Sequence, residues 1–180
     1  FDNSICNAIL LSKMIRGELP SNVIIAFTGG EEGNNHQGAK ETANFLENYK
    51  IEVVIVLDVT SEGYDKCPFT IENYFCNKSQ PQFDSEDTFK QYLQEKISDF
   101  DKIIFVSSDE ADEDESREYD EFNLNCFSFC FPTRPHPQNG GKEVSSWMHN
   151  NRGILIKKEN IALYSKGLSL LLQKINEDFI

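Results

Sequence analysis

The sequence predicts a three-layer α/β/α sandwich built on a mainly parallel, mixed central sheet. Three observations lead there. Helix-type and strand-type patterns alternate along the chain. Two of the strand patterns, NVIIAFT over 22–28 and IEVVIVL over 51–57, are nearly uninterrupted apolar runs, as expected of strands covered on both faces. Strands separated by helices call for right-handed crossovers between parallel neighbours, which put helices on both faces of the sheet. A chain of 180 residues suits one domain with a sizeable core, so 1–180 reads as a single domain.

Each element has its own signal. In FDNSICNAILLSKMI, Ile5, Ala8, Ile9, Ser12 and Ile15 share one helical face, with Asp2 or Asn3 placed as the N-cap. Gly17 and Pro20 separate that helix from the strand at 22–28, and Gly29, Gly30 and Gly33 end the strand. A helix follows over 38–49, then the strand at 51–57, which stops at Asp58. Residues 84–100 read as a helix, and 102–107 and 125–131 as the third and fourth strands. A loop rich in Pro, Gly and Asn covers 132–153. An amphipathic helix over 157–175 closes the chain, with Ile161, Tyr164, Leu168, Leu171, Leu172 and Ile175 on its buried stripe. There is no internal repeat. The one biased stretch, DEADEDESREYDE over 109–121, reads as a solvated acidic loop.

Composition excludes several classes of function. An aromatic content of 12% is too high for a disordered tail, and no apolar run approaches the ~20 residues needed to span a bilayer. A net charge of −13 argues against nucleic acid or anionic lipid as partner, since both require a basic face. The five cysteines are odd in number and lack metal-finger spacing. Cys126 and Cys130 fall on one strand, where residues four apart are about 13 Å apart and cannot be bridged. Reduced, mostly buried thiols in a cytoplasmic protein are therefore expected. The chain opens with Phe at a helix entry and shows no signal peptide. An absent N-terminal portion is expected, which leaves secretion open.

Ligands of open α/β sheets bind beyond the carboxyl ends of the strands. Two strands here end in acids: 22–28 runs into Gly29-Gly30-Glu31-Glu32-Gly33, and 51–57 runs into Asp58-Val59-Thr60. Taken singly, Glu31 and Glu32 also suit a helix's first turn, Asp58 a turn, and Asp2 a cap. His36, as an exposed helix-entry residue, and His136 and His149, in the loop before the last helix, each suit the surface. Taken together, Asp, Glu-Glu, Asp and His form an oxygen and imidazole set suited to Zn²⁺ or a similar divalent ion. The remaining Glu would act as general base toward a metal-bound water.

The order Asp-Asn opening a helix, FTGGEEG, VIVLDVT and WMHNNRG before the last helix resembles the co-catalytic zinc exopeptidases, the aminopeptidases and related carboxypeptidases and deacylases. The resemblance implies a phosphorylase-like sandwich and a metallopeptidase, most like an aminopeptidase, that hydrolyses peptide bonds. It implies Asp2 as bridging carboxylate, Glu31 as general base, Glu32 and His149 on the first metal and Asp58 on the second. His136 is the weaker choice for the last histidine. One or two Zn²⁺ per chain follow, with Co²⁺ or Mn²⁺ as substitutes, together with a peptide or amide substrate and the option of a homo-oligomer. Glu113, Asp114 or Glu115 of the acidic run would line the substrate cleft. The family supplies a further metal histidine upstream of the bridging Asp, and this sequence begins at that Asp. Two alternatives stand beside the peptidase: an N-acyl amino acid deacylase on the same site, and a non-catalytic homologue acting as a binding module.

Overall fold

The computed structural model describes residues 4–29, 35–77, 83–111, 114–135 and 154–179. In chain order the elements are α1 (Ser4–Arg16), α2 (Gln37–Leu46), β1 (Val54–Thr60), β2 (Thr70–Phe75), α3 (Glu86–Lys96), β3 (Ile104–Val106), α4 (Ser116–Glu121), β4 (Cys126–Pro135), β5 (Ile154–Ile156) and α5 (Lys158–Asp178). The fold is mixed α/β, with a central sheet between helical layers.

The sheet runs in the order β1-β4-β2-β3, with β5 added to β4. β4 lies parallel to β1 and antiparallel to β2 and β5, while β2 and β3 are parallel. The expected mainly parallel sheet is thus evenly mixed. The antiparallel contribution comes from β2 and β5, neither of which the sequence pattern singled out. β2 (TIENYF) interrupts its apolar residues with Glu72 and Asn73, so it lacks the continuous run that marks β1. Asn73 has a φ of +46°, and the β2–β4 register shifts between Glu72 and Phe75. A bulge explains both.

β4 is the centre of the core. Phe127, Phe129 and Phe131 pack on one face with Cys6 and Ile9 of α1, Phe89 and Leu93 of α3, and the buried stripe of α5. Cys126 turns to the other face, where it meets Ala39, Ala43 and Leu46 of α2, Val56 of β1 and Tyr119 of α4. The Tyr164 hydroxyl, fully buried from α5, donates to the Phe129 carbonyl at 2.7 Å. α3 starts with a capping box, in which the Ser85 Oγ accepts the Thr88 N–H and the Thr88 Oγ1 accepts the Ser85 N–H.

Three sequence expectations fail on local grounds. The acidic run is not simply a solvated loop. Its second half forms α4, and Asp114, Ser116 and Glu118 are buried. Asp114 accepts from the Asn73 side chain at 2.9 Å and from the Ser116 N–H at 2.8 Å, which supplies the partners a buried carboxylate needs. Residues 22–28 form no ladder with any described strand, although their composition is that of a central strand. The loop expected over 132–153 gives up 132–135 to β4, and 136–153 lie outside the described residues.

Candidate functional site

The stretch 22–28 borders a cleft of about 1250 Å³, which lies between it and β1. Every residue from Asn22 to Gly29 and every residue from Lys50 to Asp58 lines this cleft. A strand exposes alternate residues on each face, so a wall made of consecutive residues is an edge and not a face. Helices close both sides. Leu10 of α1 with Leu168, Leu172 and Ile175 of α5 form one wall, and Thr42, Phe45 and Leu46 of α2 with Tyr119 of α4 form the other. The cleft is a continuation of the sheet layer between the two helical layers.

β1 pairs with β4 alone among the described strands. The Val54 N–H donates to the Asn125 carbonyl on the β4 side at 2.8 Å, so the backbone groups of Ile55 and Val59 turn the other way, toward the cleft. At the end of that row the Val59 N–H is held by the Asp58 Oδ1 at 2.7 Å.

On the opposite wall, no hydrogen bond joins the backbone of Asn22–Phe27 to any other described residue. Its apolar side chains are poorly covered: Ile24 is 49% and Phe27 52% exposed. Among the described residues, the stretch is anchored by hydrogen bonds only at its far end. There Thr28 donates through Oγ1 to the Glu115 Oε2 at 2.9 Å, and the Gly29 carbonyl accepts the Gly38 N–H at 3.1 Å. A Cβ at Gly38 would lie 2.4 Å from the Gly29 oxygen, so only glycine allows the first turn of α2 to sit this close. From Gly38, α2 leads back toward the start of β1, and the two walls therefore run in the same direction.

Polar groups mark the ends of the cleft. Glu115 and Asp58 stand where the two walls finish, and Lys50, paired with Glu52, stands where they begin. Glu115 is half-buried, and its Oε1 has no hydrogen-bond partner among the described residues. Burial pushes its carboxyl above the usual range, against the opposing effects of Thr28 and His36. Beside it, Glu118 is buried and pairs with His36 Nδ1 at 3.2 Å and Lys40 Nζ at 3.5 Å. His36 enters α2 as expected, at a φ of +56°, but its ring is tied to Glu118 and does not stand free at the surface.

The metallopeptidase expectation is overturned. Among the described residues no group of three or more His, Cys, Asp or Glu side chains is arranged to hold a metal ion. No family model matches the chain, and no curated protein matches it. The resemblance to zinc exopeptidases, the hydrolase activity, the enzyme assignment and the Zn²⁺, Co²⁺ or Mn²⁺ cofactor are therefore withdrawn. Of the residues expected to form that site, Asp2, Glu31, Glu32 and His149 lie outside the described residues, as do His136 and Glu113. Asp58 is described, and its carboxylate holds the neighbouring Val59 N–H. The physical reason for the misreading is that acids are favoured at helix starts and in the turns after strands in any α/β fold. A Gly-Gly-Glu-Glu run and a strand-Asp pair satisfy those local rules without a metal. Of the acids expected along a cleft, Glu115 lines one, while Asp114 is committed to Asn73 and Ser116.

Sequence reasoning did not find the cleft. Its signal was present in the apolar run at 22–28, which requires cover on two faces and pairing on two edges.

Proposed function

We propose that this chain is a polypeptide-binding module that accepts a strand from a partner between Asn22–Gly29 and β1. The observation that carries this reading is the apolar stretch Asn22–Phe27, whose backbone bonds to no other described residue, facing β1 across a cleft with helices on both sides. Buried or half-buried backbone groups require partners, and an open sheet edge is a template for another chain. Strand addition supplies both: main-chain hydrogen bonds give affinity, and side-chain contacts give selectivity. The polypeptide is bound and not cleaved. We take residues 1–180 as one such domain.

No helix among the described residues is long and apolar enough to cross a membrane. All five cysteines are free thiols and buried, which supports a reducing, cytoplasmic setting. The net charge of −13 supports a protein partner over nucleic acid.

Isothermal titration with a capped, valine- and isoleucine-rich peptide of about eight residues, the length that matches the walls, tests the proposal. Saturable one-to-one binding is expected, and N-methylation of alternate peptide amides should abolish it by removing the ladder donors. Binding that survives N-methylation would show that the cleft is not completed by a strand.

A further inference from the structure

We infer that two copies of this chain associate through the outer edge of Asn22–Thr28, paired antiparallel about a two-fold axis. The contact goes beyond the strand-accepting reading above, because it uses the edge of that stretch that faces away from the cleft.

The stretch supplies the seam. Alternate residues of an extended chain direct their backbone groups to opposite edges, so Asn22–Phe27 has one edge on the cleft and one facing away from β1. Its backbone bonds to no other described residue, and no residue from Met14 to Gly29 is buried. An open apolar edge is a template for another chain, and natural edges are guarded against this by charges or proline. Residues 22–30 contain neither. An uncharged run also suits pairing with itself, since antiparallel register then sets no like charges opposite one another.

The helices widen the seam on both faces. On α1, Asn7 and Leu10 line the cleft, and Met14 follows them at helical spacing with Leu11 beside it. On α2, Phe45 lines the cleft and packs against Tyr49, with ring centroids 5.0 Å apart. Ile15 is 86% exposed, and Leu11, Met14, Phe45 and Tyr49 lie between 43% and 53%. Large apolar side chains thus stand uncovered in both helical layers, on the side of 22–28.

Those faces identify the occupant as a second copy. A lone strand on this edge would leave α1 and α2 wet. A two-fold axis normal to the sheet keeps each layer level with its own copy, so that α1 meets α1 and α2 meets α2. At about 200 Å² for each fully exposed side chain, these five present about 550 Å² per copy. The strand edge adds to that, toward the ~800 Å² per partner of a stable interface. Charge agrees. Copies of net charge −13 repel one another, and they meet here at a helix without acids and a run, 19–30, without charges.

Sedimentation equilibrium of the whole chain over about a hundredfold range of concentration tests the inference. The mass should rise from 20.6 kDa to twice that value and stop there, since a two-fold contact closes. Leu11→Glu with Ile15→Glu should weaken association at least tenfold, and Leu11→Lys with Ile15→Lys should do the same. An equimolar mixture of the two double variants should recover the dimer. Tyr49→Glu, in the other layer, should also weaken it at least tenfold. All three positions are exposed, so the dilute variants should unfold in urea as the wild type does. Amide exchange of the wild type should slow over 22–28 as concentration rises and stay constant over 54–60; with the wild-type mass, it decides the matter even if a variant fails to fold. A 20.6 kDa species at every concentration would overturn the inference, as would masses that grow beyond the dimer. A dimer indifferent to every substitution would place the contact elsewhere and overturn it. Slowing over 54–60 would put the second copy in the cleft and overturn the outer edge. Peptide binding in the cleft is independent of all these outcomes, so the two readings fail separately.

Discussion

Glu72 shows how much of this molecule's behaviour depends on single buried groups. It lies on β2, 5% exposed, and accepts a hydrogen bond from Thr70 at 2.5 Å. Burial raises its carboxyl above the usual range, and the nearby Asp114 and Glu62 charges add to that, against the Thr70 hydrogen bond. Because the folded-state value exceeds the unfolded one, the stability contributed by Glu72 is fully present below the unfolded carboxyl value. It is lost as pH rises through the folded value. Glu72→Gln should therefore raise the unfolding free energy measured in urea at pH 7, by roughly 1 kcal/mol on the scale of a buried polar group, and change it little at pH 4. Equal destabilisation at both pH values would show that the ionised carboxylate is needed by the fold. Residue-level readings from sequence fared unevenly for a related reason. His36 was recognisable as a helix entry, but its bond to Glu118 joins positions 82 apart in the chain, and no local pattern carries such a pairing.

α1, α2, α3 and α5 were legible as elements because each shows a 3.6-residue apolar stripe, clearest in α5, whereas the six-residue α4 lies within the acidic run and has none. In α5, Leu168, Leu171 and Ile175 are all buried, as the spacing predicts. One position on α5 behaves against helix propensity. Replacing a mid-helix glycine with alanine ordinarily gains about 1 kcal/mol. A Cβ at Gly167, however, would lie 2.6 Å from Phe69 Cε1 and 3.1 Å from Phe129 Cζ. Both rings are fully buried and tilted against each other at 4.7 Å, so they cannot retreat. Gly167→Ala should destabilise by about 1–3 kcal/mol, the usual cost of overpacking, as read by thermal or urea unfolding; stabilisation would mean that α5 stands off the sheet. A second element-level device is Asn125, just before β4. Its side chain accepts the Asn77 N–H at 2.7 Å and donates to the Glu52 carbonyl at 2.9 Å. It ties the segment after β2 to the segment before β1. Asn125→Ala should cost about 1 kcal/mol by removing the side-chain partners of two partly buried backbone groups. Strands were harder to read than helices. β1 and β4 carry continuous apolar signals, whereas β2 is a core strand despite Glu72 and Asn73, because Thr70 on the same strand satisfies Glu72 and the distant Asp114 satisfies Asn73.

At the scale of the molecule, the three layers were legible from the alternation of patterns, and the order of the sheet was not. Order depends on β4, last of the long strands in sequence, inserting between β1 and β2, a pairing that local periodicity does not encode. The cleft was missed for the opposite reason. Asp58 and the Gly-Gly-Glu-Glu run carry strong local signals, whereas the cleft arises from how 22–28 stands relative to β1. That relation makes Ile24 and Phe27 informative. Both are about half exposed, so Ile24→Ser with Phe27→Ser should change stability by no more than about 0.5 kcal/mol. The same double change should weaken binding of an apolar strand at least tenfold, since each side chain would be buried by the occupant. A large loss of stability, measured by urea unfolding, would show instead that the stretch already belongs to the packed core.

The most direct test of strand acceptance is amide hydrogen exchange of the whole chain, with and without a saturating Val/Ile-rich peptide, read over 22–29 and 51–58. Joint protection of both segments, with the amides of Ile55 and of the 22–28 stretch slowed at least tenfold, is the predicted result. Exchange in both segments that is unchanged at full peptide occupancy, or slowed on one wall alone, would contradict it.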